Sequence, residues 1–452
     1  MTIQQRRQKL GEMYHRTVLL WSGQAPSRNF PANLYPFRAS SHFLYFTEMN
    51  LENAVIRLDQ GNLTLYYDDP PPSAALWQGE KPSRDRIAAQ LDATAAYPLS
   101  ELPHHHLTEA ATLPVQDKAT YQQQCHLLQR PLPPPSQSQG PDLALAKAII
   151  TLRLAHDEAA LAQIRQAAQV SINAHKTGIQ TAKTAQTEAQ VRGAMEGVIL
   201  AHNFTCAYPS IVTKQGEVLH NEVHYHSLQN GDLILADVGA ETELGWASDL
   251  TRTFPVKGRF SSTQREIYDL VLRAHDTCIE QMGPGVEYQD IHCCAARVLA
   301  AGLVELGILR GQPEELVAQD VHALFFPHGV GHLLGLDVHD MEDLGDLAGY
   351  APGRQRSDRF GLKYLRLNRP LQPGMVVTIE PGFYQVPRIL NDPNTRKQYQ
   401  KWVNWEKLAQ FADVRGIRIE DDVLVTQTGS EVLTAALPTQ GTEIEALMNT
   451  GA

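Results

Sequence analysis

The sequence predicts an α+β fold in which a smaller amino-terminal domain of mixed α/β character, residues 1–140, precedes a larger domain, residues 141–452. Apolar runs of strand length alternate with helical patterns along the chain. The strand-like runs are separated by long insertions as well as tight turns, which favours an antiparallel or mixed sheet over a repeated βαβ arrangement. Residues 131–140 are rich in Pro, Ser and Gln, and this composition predicts a surface linker between the domains.

Three short strands are predicted in the amino-terminal domain. Each is an apolar run bounded by Asn, Gly or Asp, the residues that commonly end strands. The runs cover residues 43–46, 54–58 and 63–67.

The larger domain is predicted to begin with an amphipathic helix over residues 152–183. Its apolar positions recur at helical spacing, and its many Ala and Gln residues favour a helix. Further helices are predicted over residues 187–201, 264–281 and 291–309, and strands over residues 233–238, 375–380 and 416–420.

Composition and charge argue against several classes of function. With 43% hydrophobic and 20% charged residues, the chain of 452 residues is predicted to be globular rather than disordered. A net charge of −11 without a basic stripe argues against a nucleic-acid partner. The sequence contains no run of about 18 apolar residues, which argues against a membrane span. Five cysteines without CxxC spacing are typical of reduced thiols in a cytoplasmic protein.

Residues 327–340 form a glycine-punctuated segment that contains His328, His332 and His339. The glycines permit backbone angles and close approaches that larger residues forbid. Histidine offers a neutral nitrogen to a metal ion, or a proton that titrates near neutral pH. On its own the segment is equally consistent with a polar turn whose histidines only form hydrogen bonds.

Four carboxylates stand where predicted strands end or begin: Asp237, Asp249, Glu380 and Glu420. A carboxylate at the apolar end of a strand must be exposed, paired or bound to a cation, because burying it alone is costly. If the four converged, each close pair would repel by about 4 kcal/mol at roughly 4 Å and an effective dielectric constant near 20. Any one of them is explained well as a solvated strand end. All four, together with the histidine segment, favour a site for a pair of divalent cations.

The order of these residues along the chain resembles that of the dinuclear metallopeptidases with the pita-bread fold, and among them the branch of Xaa-Pro aminopeptidase (aminopeptidase P) and prolidase. The resemblance rests on Asp237, Asp249 within residues 247–254, His332, Glu380 within residues 378–382, and Glu420 within residues 416–422. Residues 37–47 are also similar to the amino-terminal domain of bacterial aminopeptidase P. The resemblance covers nearly the whole chain, and it implies a pita-bread catalytic domain behind the smaller amino-terminal domain.

The resemblance also implies a role for each site residue. The residues that would ligate two metal ions are Asp237, Asp249, His332, Glu380 and Glu420. The residues that would act on the substrate are His220, His328, His339 and Glu380, the last also a ligand. Arg418 and Tyr384 would hold the ligands in place.

One spacing departs from the pattern of the family. Asp237 and Asp249 are twelve residues apart, one more than the resemblance leads us to expect. We predict that the additional residue lies in the turn at residues 241–245, because loops tolerate insertions. Within a strand it would turn Asp249 to the opposite face and destroy the site.

The chemistry expected of such a shell follows from its donor atoms. Four carboxylates and one imidazole favour Mn²⁺, although Zn²⁺ or Co²⁺ could substitute. Two such ions can hold a bridging water and lower its pKa, which gives a hydroxide at neutral pH that attacks a polarised carbonyl. We expect His220 or His339 to stabilise the developing oxyanion, and Glu380 to carry a proton towards the leaving nitrogen.

We therefore expect a cytoplasmic, metal-dependent Xaa-Pro aminopeptidase that releases the first residue of peptides with proline in second position. A homo-dimer or homo-tetramer is compatible with the sequence. A prolidase, which cleaves Xaa-Pro dipeptides, is the main alternative, because the arginines within residues 341–370 could bind a terminal carboxylate, although a solvated loop explains them as well. A non-catalytic binding module and a metal-free relative of creatine hydrolase fit less well, since all five ligand positions are intact.

Overall fold

The computed structural model describes residues 1–105 and 107–450, without the side chain of Gln78. The chain divides into two compact units, one of residues 1–159 and 341–348 and the other of residues 160–340 and 349–452. The helix Gly140–Arg153 therefore belongs to the first unit. The domain boundary predicted at residue 140 stays a prediction, and the contacts within the chain divide it later.

The bounds of the regular elements are as follows. The α-helices are Ile3–Met13, Ser41–Thr47, Ala74–Gln78, Arg84–Gln90, Lys118–Leu128, Gly140–Arg153, Glu158–Thr181, Glu188–Ala201, Ser262–Glu280, Tyr288–Glu305, Pro313–Ala318, Asp346–Gly349, Pro387–Leu390, Pro393–Tyr399, Trp405–Ala409 and Gly441–Thr450. The 3₁₀ helices are Leu99–His104, Pro135–Gln137, Val321–Leu324 and Glu342–Leu344. The strands are Val18–Trp21, Ser27–Phe30, Asn33–Leu34, Val55–Asp59, Asn62–Tyr66, Ala95–Tyr97, Ala111–Thr112, Thr205–Cys206, Ile211–Thr213, Leu233–Asp237, Ala240–Glu241, Thr251–Pro255, Val376–Ile379, Gly382–Tyr384, Gly416–Arg418, Asp421–Val425 and Ser430–Val432.

The first unit is built on a five-stranded mixed sheet. Its strand order is Ala95–Tyr97, Asn62–Tyr66, Val55–Asp59, Val18–Trp21 and Ala111–Thr112. The inner pairs are antiparallel and the two edge pairs are parallel. Apolar side chains of these strands enter one buried cluster with residues of the loops and helices that follow. The strands predicted over residues 54–58 and 63–67 are thereby confirmed.

The strand predicted over residues 43–46 is wrong, because these residues lie in the helix Ser41–Thr47. Every residue of this helix is buried. A short segment that is apolar on all sides carries neither the alternation of a strand nor the stripe of a surface helix, so its sequence does not distinguish the two.

Two further predictions in this region need correction. Six of the residues 131–140 are exposed, as a surface segment requires, but the segment lies within the first unit rather than between the units, and Leu132 and Pro135 are buried. Their composition excluded regular structure but did not exclude packing of the side chains. The helix predicted over residues 152–183 begins only at Glu158, since the helix Gly140–Arg153 ends just before it.

The second unit contains two three-stranded antiparallel sheets. In the first, the central strand Leu233–Asp237 pairs with Thr251–Pro255 and with Ile211–Thr213. In the second, Asp421–Val425 pairs with Val376–Ile379 and Ser430–Val432. All of these strands except Ser430–Val432 are buried, and helices such as Ser262–Glu280 and Tyr288–Glu305 pack in the same unit. The α+β class predicted from sequence is confirmed.

Backbone hydrogen bonds join the two sheets at the strand ends that carry the acidic residues. The amide of Glu420 donates to the carbonyl of Thr251 at 3.1 Å. The amide of Thr378 donates to the carbonyl of His332 at 3.0 Å, and the amide of Glu380 donates to the carbonyl of Val330 at 2.8 Å. The histidine segment is therefore fixed along the strand Val376–Ile379.

Within residues 1–105 and 107–450, no helix has both the length and the apolar character needed to cross a membrane.

Candidate metal centre

The five predicted ligands converge in the second unit, with their side chains almost fully withdrawn from solvent. His332 Nε2 lies 3.4 Å from Asp249 Oδ2 and 3.5 Å from Glu380 Oε1. Potential ligand atoms of Asp249, His332 and Glu420 all lie within 4.8 Å of one another. Asp237 joins this group through Arg418, which contacts both Asp237 and Glu420.

A single β-hairpin places Asp237 and Asp249 on the same face. Asp237 pairs with Thr251, and the same register continues from Val238 to Leu250 and on towards the turn. Since Asp249 is two residues before Thr251, its side chain points to the same side as that of Asp237. The unbroken register is compatible with an additional residue in the turn at residues 241–245, and its position there stays a prediction.

The hairpin closes tightly beside the ligands because of Gly239. A Cβ atom at this position would lie 1.9 Å from the carbonyl oxygen of Ser248 and 2.8 Å from the ring of Tyr208. Any larger residue would force the two halves of the hairpin apart and separate Asp237 from Asp249.

The orientation of His332 is set by the backbone around it. Its Nδ1 lies 3.0 Å from the carbonyl oxygen of Leu333, so this nitrogen carries the proton and Nε2 turns to the carboxylates. Gly331 permits the close approach of the segment to the neighbouring strand, because a Cβ there would lie 2.1 Å from the carbonyl oxygen of Thr378.

The predicted catalytic histidines lie around the same centre. The rings of His332 and His339 are 4.3 Å apart and nearly perpendicular. His328 donates from Nδ1 to the carbonyl oxygen of Gly329, and its Nε2 accepts from the hydroxyl of Tyr384 at 2.8 Å. His220 is exposed and reaches the centre from a loop after the strand Ile211–Thr213.

All of these groups except Tyr384 line one cavity of about 720 Å³. Tyr384 lies behind its wall, where it accepts a hydrogen bond from Arg418 Nη1 at 3.1 Å. Another part of the wall comes from the segment rich in arginine and contains Arg356, Phe360, Tyr364 and Arg366. The ten residues that the sequence singled out therefore belong to one cavity and the layer directly beneath it.

Comparison with known proteins identifies this arrangement. Residues 162–427 match metallopeptidase family M24, and residues 3–113 match the aminopeptidase P N-terminal domain. The Xaa-Pro aminopeptidase of Escherichia coli strain K12 is 31% identical, over 98% of this chain and 97% of that protein. The chain belongs to the aminopeptidase P family.

Solved structures of aminopeptidase P share the fold of the chain. Proline aminopeptidase P II from Yersinia pestis aligns with a TM-score of 0.80 and 29% identity, over 100% of each chain. A zinc-substituted Escherichia coli aminopeptidase P in complex with product aligns with a TM-score of 0.78 and 29% identity, over 100% of this chain and 98% of that chain. These likenesses confirm the amino-terminal and pita-bread architecture, and they favour a metal-dependent aminopeptidase over a prolidase.

Several residues of this aminopeptidase P centre carry no signal in the sequence. The hydroxyl of Tyr208 donates to Asp249 Oδ1 at 2.6 Å, and the hydroxyl of Thr251 donates to Glu420 Oε2 at 2.6 Å. Asp422 accepts the amide of Asp249 at 3.1 Å. The alternation of the strand could have placed Thr251 beside Asp249. The same alternation could have placed Asp422 beside Glu420, whereas Tyr208 is brought in by the tertiary structure, so no local pattern could have found it.

The electrostatics of the centre agree with a cation site. Burial, with the charges of neighbouring carboxylates, raises the pKa of Glu380 to about 7 and that of Asp237 to about 6. Burial also raises the pKa of Glu420 well above its usual range. His332 has its pKa raised to about 9, since its bond to Asp249 and the charge of Glu380 outweigh its burial. These shifts mark a concentration of negative charge that a divalent cation would relieve.

One buried oxygen makes the fit to a metal ion specific. Arg418 Nη2 donates to Asp237 Oδ2 at 2.5 Å, whereas no residue in the described ranges bonds to the buried Asp237 Oδ1. A buried acceptor without a partner is costly, and Asp237 lines the same cavity as the other candidate ligands, which form a hard, oxygen-rich donor set. The residues present therefore fit a divalent metal ion, in agreement with the match to a metallopeptidase family.

Proposed function

We propose that the chain removes the first residue from peptides with proline in second position, using two divalent metal ions, preferably Mn²⁺. The ions would be held by Asp237, Asp249, His332, Glu380 and Glu420. The observation that carries this proposal is the convergence of four carboxylates and one imidazole on the floor of one cavity, with Asp237 Oδ1 buried and unpaired.

Each group of the protein has a task that its position supports. Bound ions would polarise the scissile carbonyl and lower the pKa of the attacking water. Glu380 borders the cavity, where its carboxylate can take up a proton and pass it to the leaving nitrogen. His220 and His339 line the cavity where they can donate hydrogen bonds to the oxyanion that develops on the carbonyl.

His328, Tyr384 and Arg418 form a connected support beneath these groups. Arg418 donates to Asp237 and to the hydroxyl of Tyr384, which in turn donates to His328. Burial, with the charge of Arg418, lowers the pKa of His328 to about 3, so this imidazole stays neutral. We assign it to the cavity wall, where it accepts from Tyr384 and shapes the space for the substrate.

The choice of a proline bond follows from the chemistry of its nitrogen. The bond before proline is a tertiary amide without an N–H group, so a site for it needs shape rather than an acceptor for that hydrogen. Apolar side chains such as Leu219, Val386 and Ile389 line the cavity and can contact a pyrrolidine ring. Shape alone would discriminate by about 1–3 kcal/mol between proline and alanine.

The experiment is a substrate panel assayed with Mn²⁺. We expect Ala-Pro-Xaa peptides to be cleaved and the matching Ala-Ala-Xaa peptides to be cleaved about 5- to 150-fold more slowly. This ratio of rates corresponds to the free-energy difference of about 1–3 kcal/mol expected from shape. Comparable rates would contradict the proline preference and leave only a general aminopeptidase. Repeating the panel with Zn²⁺ and Co²⁺, and measuring the metal content of dialysed protein, tests the preference for manganese and the stoichiometry of two.

A second activity, the cleavage of Xaa-Pro dipeptides, has one observation in its favour. Arg356 and Arg366 line the cavity, and Arg366 is near enough to His220 for its charge to contribute, after burial and Arg418, to the lowered pKa of that histidine. A guanidinium there can bind the terminal carboxylate of a dipeptide. Including Xaa-Pro dipeptides in the panel measures this activity. The cytoplasmic location and the homo-dimer or homo-tetramer stay predictions, which cell fractionation and sedimentation analysis test.

A further inference from the structure

His220 is carried by an irregular loop, residues 213–226, which we call the His220 loop. Its ring is exposed, so packing around the ring does not fix its position. The loop follows the strand Ile211–Thr213 and also brings Glu217 and Leu219 to the cavity wall. The position of His220 must therefore be set by the contacts of the loop that carries it.

Both ends of the His220 loop are bound by one buried carboxylate, that of Glu188. Glu188 Oε1 accepts the hydroxyl of Thr213 at 3.0 Å and the amide of Lys214 at 2.8 Å. Its Oε2 accepts the amide of His226 at 3.2 Å and the ring Nδ1 of His226 at 2.8 Å. Since an ionised carboxylate only accepts, all four partners donate, and each oxygen closes one end of the loop.

The backbone of the same helix end binds the loop as well. Glu188 is the first residue of the helix Glu188–Ala201 and is fully buried. Its amide donates to the carbonyl oxygen of His226 at 3.2 Å, and the amide of Ala189 donates to that of His224 at 3.0 Å. The first amides of a helix have no partner within the helix, and here the loop supplies their acceptors.

A short relay runs from Glu188 to the residue beside His220. The hydroxyl of Thr213 donates its hydrogen bond to Glu188, so its oxygen is free to accept a hydrogen bond from Asn221 Nδ2 at 3.0 Å. Asn221 Oδ1 in turn accepts the amide of Val223 at 3.0 Å, which fixes the amide orientation.

On the other side of His220, Leu219 packs against the buried cluster that contains Tyr384. The histidine is thus held between a hydrogen-bonded neighbour and an apolar one, and the hydrogen-bonded neighbour depends on Glu188.

We propose that Glu188 is a positioning residue for His220: it closes the loop and, through Thr213 and Asn221, holds the imidazole at the substrate cavity. This inference rests on the proposed function for the catalytic role of His220. Glu188 is not among the residues that line the cavity, and the four hydrogen bonds that its carboxylate accepts all come from the loop. Its effect on catalysis should therefore disappear when His220 is absent.

The test is a double-mutant cycle with Glu188→Gln and His220→Ala. A glutamine oxygen can replace one carboxylate oxygen, but its NH₂ group cannot accept from His226, so one end of the loop is released. We expect Glu188→Gln to lower kcat/KM for Ala-Pro-Xaa by about 10- to 100-fold with the metal content unchanged. In the His220→Ala background the same change should alter kcat/KM by less than about twofold. An equal loss in both backgrounds would overturn the proposal.

A second measurement keeps the proposal testable without activity. In Glu188→Gln, amide hydrogen exchange of Lys214 and His226 should accelerate, while exchange in the strand Leu233–Asp237 stays slow. Retained slow exchange at both amides would show that the carboxylate does not hold the loop. If the wild-type protein cleaves no Xaa-Pro peptide, the proposed function fails, and the exchange result still decides whether Glu188 holds the loop.

A matched control separates positioning from a general loss of stability. Asp142, in the first unit, is also a buried carboxylate that accepts a backbone amide, that of Thr112 at 3.0 Å, and it pairs with Arg130. Asp142→Asn should lower the unfolding temperature and leave kcat/KM and the exchange of the His220 loop unchanged. Thr213→Val, which removes the hydroxyl that bonds to Glu188, Asn221 and the amide of Gln215, should reproduce part of the kinetic loss of Glu188→Gln.

Discussion

The substitution Arg418→Lys tests how far the centre depends on the geometry of one buried guanidinium. Arg418 donates from Nη2 to Asp237 at 2.5 Å, from Nη1 to the hydroxyl of Tyr384 at 3.1 Å and from Nε to the hydroxyl of Thr251 at 3.1 Å. A lysine keeps the charge but has one ammonium group, which cannot occupy all three sites of the fork at once. If it stays with Asp237, the bonds to Tyr384 and Thr251 are lost.

The expected magnitude follows from those two bonds. At about 0.5–1.5 kcal/mol each, their loss amounts to about 1–3 kcal/mol, and if it falls on the transition state it lowers kcat/KM by about 5- to 150-fold. The assay is the cleavage of Ala-Pro-Xaa with Mn²⁺, with metal content measured on the same samples. Activity within twofold of the wild type at full metal content would refute the reasoning.

Arg6→Lys is the matched control for this substitution. Arg6 is also fully buried and holds a carboxylate with a guanidinium fork, at 2.9 and 3.0 Å to Asp157, while a third nitrogen donates to the carbonyl oxygen of Tyr45 at 3.1 Å. These residues belong to the first unit. Arg6→Lys should lower thermal stability by about as much as Arg418→Lys does and leave kcat/KM unchanged. A kinetic loss that is confined to Arg418→Lys is then a property of the centre.

Three further predictions concern histidines and one arginine of the second unit. His332→Ala should lose metal and activity together, whereas His328→Ala and His339→Ala should keep metal and mainly lower kcat; equal metal loss in all three would show that the ligand is assigned wrongly. Arg366→Ala should weaken cleavage of Xaa-Pro dipeptides by about 1.5–3 kcal/mol in kcat/KM and spare tripeptides if this side chain binds the terminal carboxylate, and an equal effect on both would exclude that role. Burial lowers the pKa of His292 from 6.5 to about 4. As the pH drops from about 6.5 towards 4, this histidine is protonated in the unfolded chain but not in the folded one, so the free energy of unfolding falls. Between pH 7 and pH 5 this costs about 2 kcal/mol, and urea unfolding of His292→Gln should show a pH dependence that is smaller by that amount.

The long elements of the chain could be predicted because their patterns are local. The helix Ser262–Glu280 and the strand Leu233–Asp237 lie within a residue or two of their predicted bounds, since periodic apolar positions and turn residues define them. The helix Ser41–Thr47 was missed because all of its residues are buried and no periodicity remains. Its state is decided by the packing of the first unit, which the local sequence does not report.

The ligand set could be predicted for a different reason. A carboxylate at the apolar end of a strand is unusual enough to be noticed, and four of them in a fixed order with one histidine resemble a known family. The groups that support the ligands are ordinary in the sequence. Tyr208 and Asp422 become significant only when the fold brings each of them to Asp249, at a separation of 41 and 173 residues. Sequence therefore reveals the candidate metal ligands more readily than the groups that orient them.

The hairpin between Asp237 and Asp249 shows how a change in length is reconciled with a fixed site. Both carboxylates must point to one face, so their register with each other is constrained by the period of two in a strand. The register that pairs Asp237 with Thr251 continues without a bulge to the pair of Thr242 and Trp246. The turn beyond is closed by Gly245, which has a positive φ of 86°. A residue added in this turn lengthens the spacing without changing which face either carboxylate occupies. The site thus limits the strands and leaves the turn free to vary, which is why the longer spacing is compatible with an intact centre.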